Sequence, residues 1–125
     1  MDQLLPDLVA RRVRSAPGAA AVAEGTRTLS YAELSDRADR LAARLRALGA
    51  GPGAFVAVRM RRRFGLVTAL LAVWRAGAAY VPIDPSHPAE RVRAVLDDAG
   101  AAVLVTEDPP DGVPHGAAVL LPVGP

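Results

Sequence analysis

The chain has 125 residues, 51% of them hydrophobic, and a mean hydropathy of +0.21; this suits one domain or part of one, with a buried core, and argues against disorder. Its 15 basic residues are all Arg and face 13 acidic ones, so the pI near 9.9 records Arg in place of Lys, while the net charge is only +2. No apolar run is long enough to span a membrane, the N-terminus does not read as a signal peptide, and the absence of Cys excludes disulfides and thiolate-bound metal.

Leu4 to about Ser15 is expected to form a helix that Pro17-Gly18 ends, with Leu4 to Val13 amphipathic and Arg11 and Arg12 on its far side, as in a surface helix. Ala20 to Ala23 reads as a strand of small residues, and Glu24-Gly25-Thr26-Arg27 turns it back through Thr28 and Leu29. Ser30 with Glu33 three residues later is a capping box, and Leu29 and Leu34 are placed as the hydrophobic staple around it. Leu34, Ala38, Leu41, Leu45 and Leu48 recur at helical spacing on one face, and Gly49 stops the helix. Ser30 therefore reads as a cap and not as a nucleophile.

Gly49, Gly51 and Gly53 invite comparison with a phosphate-binding loop. Such a loop follows a strand and opens a helix, whereas this run follows a helix and opens a strand, so the turn reading is preferred. Phe55 to Met60 is expected as a strand, and Phe64 to Ala76 as a helix packing through Leu66, Leu70, Val73 and Trp74. Gly77 ends it, and Ala79 to Ile83 follows as a short buried strand that Pro82 brings close to its end. After Pro85, a helix from Pro88 to Ala99 with Val92, Val95, Leu96 and Ala99 inward leads to a strand from Ala102 to Thr106. Glu107 to Gly116 is rich in Pro, Gly and Asp and reads as a loop, with a further strand placed at Ala118 to Leu121. The alternation predicts an α/β fold: a mainly parallel sheet, flanking helices and βαβ units.

Two stretches resemble core motifs of a known family. Ala76-Gly77-Ala78-Ala79-Tyr80-Val81-Pro82-Ile83-Asp84-Pro85 is similar to the second core motif of nonribosomal peptide synthetase adenylation domains, and Leu29-Ser30-Tyr31-Ala32-Glu33-Leu34 is similar to the first. The resemblance runs from about Leu4 to Glu107, with the motifs at residues 29–34 and 75–85 in the family's order and spacing. The chain thus resembles the N-terminal portion of an adenylate-forming (AMP-binding) enzyme, closer to the amino-acid-activating branch than to acyl-CoA ligases.

For a complete member, the resemblance implies ATP- and Mg-dependent formation of an aminoacyl-adenylate, which is then loaded onto a carrier protein. It also implies a phosphate loop rich in Ser, Thr and Gly and ending in Lys, a few tens of residues beyond the second motif, then a C-terminal subdomain with a catalytic Lys. Residues 1–125 contain no such loop and no Lys, so they are expected to be a truncated N-terminal part of the domain, inactive alone. No residue is assigned a catalytic, cofactor-binding or metal-binding role, and no cofactor is expected in this chain by itself.

Other constellations have bland readings. Asp84, Ser86 and His87 imitate triad members, but neighbours on a turn rarely address one another, and Ser86 or His87 is read as the N-cap before Pro88, with Glu90 in the first turn. His115 stands 28 residues beyond His87, and two His make no metal site. Asp97, Asp98, Asp108 and Asp111 read as helix end and loop.

Arg59, Arg61, Arg62 and Arg63 crowd the start of the Phe64 helix, where cations oppose the macrodipole, Arg caps poorly and Gly65 weakens the first turns. Either this start has decayed, or the Arg group binds an acidic partner or phosphate; a solvated or interface patch is the favoured reading, and nucleic acid is disfavoured.

Two functions of different class follow: the opening of an amino-acid-activating ligase that works only with its remainder, or a truncated pseudo-adenylation domain docked in a synthetase assembly line. The expected partners are the rest of an adenylation domain or module and a carrier protein, not nucleic acid or membrane. Self-association is expected from an uncovered sheet edge and face, and a cytoplasmic location from the composition.

Overall fold

The computed structural model describes residues 4–101, 103–107 and 119–122. The chain runs α1 (Leu4–Ser15), β1 (Ala20–Glu24), β2 (Arg27–Ser30), α2 (Tyr31–Ala47), β3 (Phe55–Arg59), α3 (Arg63–Ala76), β4 (Ala79–Pro82), α4 (Ala89–Ala99), β5 (Val103–Thr106) and β6 (Val119–Pro122). Strands β1 and β2 form an antiparallel hairpin, and the other four form one parallel sheet in the order β4-β3-β5-β6. The expected α/β architecture with a mainly parallel sheet is present.

The sheet divides its side chains between two layers by the two-residue period of a strand. Val56, Val58, Val103 and Val105 face α2 and α3 and share one core with Leu34, Leu41, Leu45, Leu71 and Val73. Ala57 and Leu104 face the other way, with Ile83 and α4's Val92 and Leu96. Val103, Leu104 and Val105 are all fully buried because β5 has a neighbour on each side and a helix layer over each face.

Helix α2 starts as its sequence dictates. The Ser30 N–H donates to Glu33 Oε1 at 2.9 Å and the Glu33 N–H to Ser30 Oγ at 3.1 Å, closing the capping box. Leu29 and Leu34, the staple positions, are both buried, as are Ala38, Leu41 and Leu45. A fully buried Leu contributes about 1.5–3 kcal/mol. Leu48 departs from the expected stripe: it is the C-cap residue, already off the helical path, and it is exposed.

Two expectations fail at α3 and β4. Helix α3 buries Thr68, Ala69, Leu71, Ala72, Val73 and Ala76, whereas Leu66 and Trp74 are exposed and Leu70 is half-buried. The helix is apolar nearly all round, so helical spacing defines two equally good stripes; the small-residue stripe is the one that approaches α2 closely. Strand β4 is not buried. It is the sheet edge, with Ala79, Tyr80 and Pro82 exposed.

The Ala79 and Ile83 N–H groups point inward, donating to the Ala54 and Val58 carbonyls at 3.0 and 2.9 Å. Strand alternation therefore turns the main-chain groups of Tyr80 and Pro82 to the open side, and Pro82 has no N–H. At the end of α3, Gly77 has φ +86°, the left-handed conformation that lets the chain reverse into β4.

Helix α4 begins one residue later than expected, with Pro88 at the N-cap and no side-chain cap. Ser86 and His87 do not cap it. Val92 and Leu96 are buried, while Val95 and Ala99 are half-buried.

Candidate functional site

In open parallel sheets, ligands sit outside the carboxyl ends of the strands, where successive connections leave in opposite directions. Here that place lies between β3 and β5, because the chain passes from β3 to β4 on one side and then crosses to β5 on the other. The Arg59–Arg63 segment, the Pro82–His87 turn and Glu107 meet there.

The N-terminus of α3 points its free amides into this region, and two carboxylates already occupy them. Glu24, at the end of β1, accepts from the Arg63 N–H at 2.6 Å and from the Phe64 N–H at 3.3 Å. Glu107, just beyond β5, accepts from the Arg61 N–H at 2.8 Å and from the Arg62 N–H. Arg62 holds the N-cap position without a side-chain cap. The supposedly decayed helix start is thus capped by acids distant in sequence, which satisfy orphan amides and complement the dipole.

The Arg side chains turn largely to carbonyls of the protein itself. Arg59 and Arg61 both donate to the Pro85 carbonyl, at 2.6 and 3.3 Å, and Arg63 donates to the Ala23 carbonyl at 3.3 Å. Arg27 from the hairpin lies 5.6 Å above the Phe64 ring, a cation–π contact that again joins β1–β2 to α3. Arg61, Arg62 and Arg63 remain exposed at the surface.

Gly65 makes room for a neighbour: a Cβ there would lie 2.1 Å from the Met60 terminal methyl. The same absent Cβ would stand 3.9 Å from the Glu107 carboxylate.

Asp84, Ser86 and His87 do come together, as a turn. Asp84 Oδ1 accepts from both the Ser86 N–H and the Ser86 hydroxyl, each at 2.8 Å, and the His87 N–H donates to the Asp84 carbonyl at 3.0 Å. The Ser86 N–H, then its hydroxyl, hold the Asp84 carboxyl below its ordinary pKa. In a nucleophilic triad the base stands between hydroxyl and acid; here the acid binds the hydroxyl directly, so the arrangement fixes a turn. The His87 Nδ1 and Arg59 Nε are buried without a hydrogen-bond partner among the described residues.

The Gly49–Gly53 run closes on itself through an Ala54 N–H to Gly51 carbonyl bond of 2.9 Å and enters β3, so it opens no helix. Asp97 and Asp98 lie near the end of α4, while Asp108, Asp111 and His115 fall outside the described residues. Among the described residues no three His, Cys, Asp or Glu side chains gather as for a metal ion, and no helix is long and apolar enough to cross a membrane.

Residues of both motifs are thus engaged in local structure. Besides the capping box and the Asp84 turn, Arg75 binds α3 to α2, donating to Asp39 Oδ1 at 2.8 Å and to the Ser35 carbonyl at 2.9 Å. The roles of Glu24, Glu107 and Asp39 were not visible in sequence, since each acts on a partner more than 35 residues away.

Comparison with known proteins gives this scaffold a family. Residues 9–122 match the family described as AMP-binding enzyme. The chain is 40% identical over 107 residues to tyrocidine synthase 3 of Brevibacillus parabrevis, covering 86% of this chain and 2% of that protein. It superposes on an artificially fused adenylation–PCP di-domain, NpsA-ThdA, from Klebsiella oxytoca with a TM-score of 0.82 and 30% identity, over 94% of this chain and 22% of that one. The Klebsiella oxytoca NpsA N-terminal subdomain matches with a TM-score of 0.79 and 31% identity, over 93% of this chain and 30% of that one. The chain therefore spans a small fraction of the relatives it matches, and it belongs to the AMP-binding enzyme family, among the adenylation domains of nonribosomal peptide synthetases.

Proposed function

We propose that this chain is the N-terminal segment of an adenylation domain, which activates an amino acid with ATP as aminoacyl-AMP for loading onto a carrier protein, and that it does so only together with the remainder of the domain. The observation that carries this reading is the match to the NpsA N-terminal subdomain: nearly the whole chain superposes, yet it accounts for 30% of that subdomain.

ATP and Mg belong to the complete domain. The α3 amides that could have faced a phosphate carry the Glu24 and Glu107 carboxylates, and the Arg59 and Arg61 guanidiniums hold the Pro85 carbonyl. These residues do not fit a nucleotide phosphate, and no chemical step is routed through them. Their work is to hold the carboxyl edge of the sheet in one shape. Partners are the rest of the adenylation domain or module and its carrier protein, and the place of action is the cytoplasm.

The second reading, a docking piece without adenylation activity, draws support from the exposed Trp74 and Tyr80, large apolar side chains open to a partner. Two measurements separate the readings. The chain alone is expected to give no amino-acid-dependent exchange of pyrophosphate into ATP, and exchange should appear when the remainder is joined to it. Exchange by the lone chain would overturn the proposal. A native polypeptide of about 13.0 kDa that stays inactive with every added remainder would favour the docking reading.

A further inference from the structure

We infer that the exposed guanidiniums around the start of α3, those of Arg27, Arg61, Arg62 and Arg63, form a docking surface for an acidic segment of a partner protein.

Positive charge gathers at this corner of the fold. All four side chains are exposed, three are consecutive in sequence, and the cation–π contact with Phe64 brings Arg27 to them from the hairpin. The carboxylates bound to this segment are Glu24 and Glu107, and both are engaged by the main-chain N–H groups of residues 61–64. The excess of these four Arg over the two Glu equals the net charge of the whole chain, +2. Among the described residues the ion pairs are Arg40 with Asp36 and Arg75 with Asp39, so none of the four guanidiniums has a carboxylate against it.

Carbonyls orient these cations without neutralising them. Arg61 donates to the Pro85 carbonyl and Arg63 to the Ala23 carbonyl, each at 3.3 Å. A guanidinium carries five N–H groups, so most of each fork stays open. The Arg62 side chain makes no hydrogen bond to the described residues. Cations anchored at one end and open at the other are preorganised for carboxylates, which Arg meets with two parallel hydrogen bonds.

An acidic protein segment fits this arrangement better than other anions. A single phosphate needs donors that converge on one point, and the amides that would supply them carry Glu24 and Glu107. Nucleic acid calls for a larger charge excess and open aromatic faces, whereas Phe64 is half-buried beneath Arg27. Carboxylates spaced along a chain meet guanidiniums spaced along a chain one by one.

The test titrates the chain into a short fluorescein-labelled oligo-Glu peptide, with binding read by anisotropy. Saturable binding is expected, weakening steeply with added NaCl because exposed pairs are screened. Arg61→Gln with Arg62→Gln should weaken it about tenfold, and Arg61→Lys with Arg62→Lys by less. Arg44→Gln with Arg46→Gln removes the same charge from the last turn of α2 and should leave affinity within about twofold. Glu107 is held by the main-chain N–H groups of residues 61 and 62, so the Gln variants keep that bond. Arg62→Gln alone removes a side chain that binds nothing in the fold; it should keep the wild-type thermal midpoint and still weaken binding about threefold.

Absence of binding, or an equal loss in the Arg44 and Arg46 variant, would overturn the docking surface. Tighter binding of tripolyphosphate, of an oligonucleotide or of phosphatidylserine vesicles, lost with the same two Arg, would make another anion the occupant and overturn the acidic-protein assignment.

Discussion

The Glu24 carboxylate accepts from the Arg63 N–H at 2.6 Å, so a residue of the N-terminal hairpin caps a helix that begins 39 positions later. A side-chain cap contributes about 1 kcal/mol. Glu24→Ala is expected to lower stability by about that much in urea unfolding and Glu24→Gln by less, since Gln keeps an acceptor. Equal stability of all three chains would exclude the cap.

The capping box of α2 makes a prediction about acid. Glu33 sits below its ordinary pKa, first because it accepts from the Ser30 backbone, then through the Ser30 side chain, with the Arg37 charge adding to these. A carboxyl depressed by folding adds stability that is complete above its unfolded pKa and is lost as pH falls through its folded one. Glu33→Gln removes the titration and keeps an acceptor. The wild-type advantage over Glu33→Gln should therefore be constant near neutrality and shrink with acid, as read by urea midpoints across the pH range. An advantage that grew with acid would have the wrong sign.

The two faces of α3 separate by mutation. Leu71 is fully buried and Leu66 is exposed. Leu71→Ala should destabilise the lone chain by about 2–5 kcal/mol, and Leu66→Ala should stay within about 0.5 kcal/mol of wild type.

Gly65 and Met60 form a coupled pair, because an added Cβ meets the Met60 methyl at 2.1 Å. Gly-to-Ala in a helix is worth about 1 kcal/mol in propensity, and displacing a buried methyl opposes it. Gly65→Ala alone is expected to be close to neutral. In a Met60→Ala background the same change should stabilise by about 1 kcal/mol, a coupling that a double-mutant cycle reads directly.

What is legible in the sequence divides along one physical line. Leu34, Ala38, Leu41 and Leu45 are readable because α2 has a polar side, so spacing alone selects the buried stripe. Helix α3 has no polar side, and of the stripe that spacing suggests, Val73 is buried while Leu66, Leu70 and Trp74 turn outward. The run Ala79–Ile83 reads correctly as a strand, but an apolar run does not reveal whether a neighbour lies beyond it, and β4 is the edge. Ser30 and Glu33 are readable because a capping box is local. Glu24 and Glu107 are not, because their partners lie 39–40 and 45–46 positions away. The Arg59–Arg63 segment, taken alone, looks like a defect or a ligand patch, and its partners are the protein's own carbonyls and acids.

Pro82 gives the sheet a direction of growth. On the outer side of β4 the main chain offers the Tyr80 N–H and then, where the next donor would stand, a proline ring. A ribbon built by laying one such sheet beside another would be weakened at this edge, where the proline blunts the ladder. A foreign strand laid along β4 would find the Tyr80 N–H as the one outward donor of that strand, so pairing there forfeits a rung of its ladder.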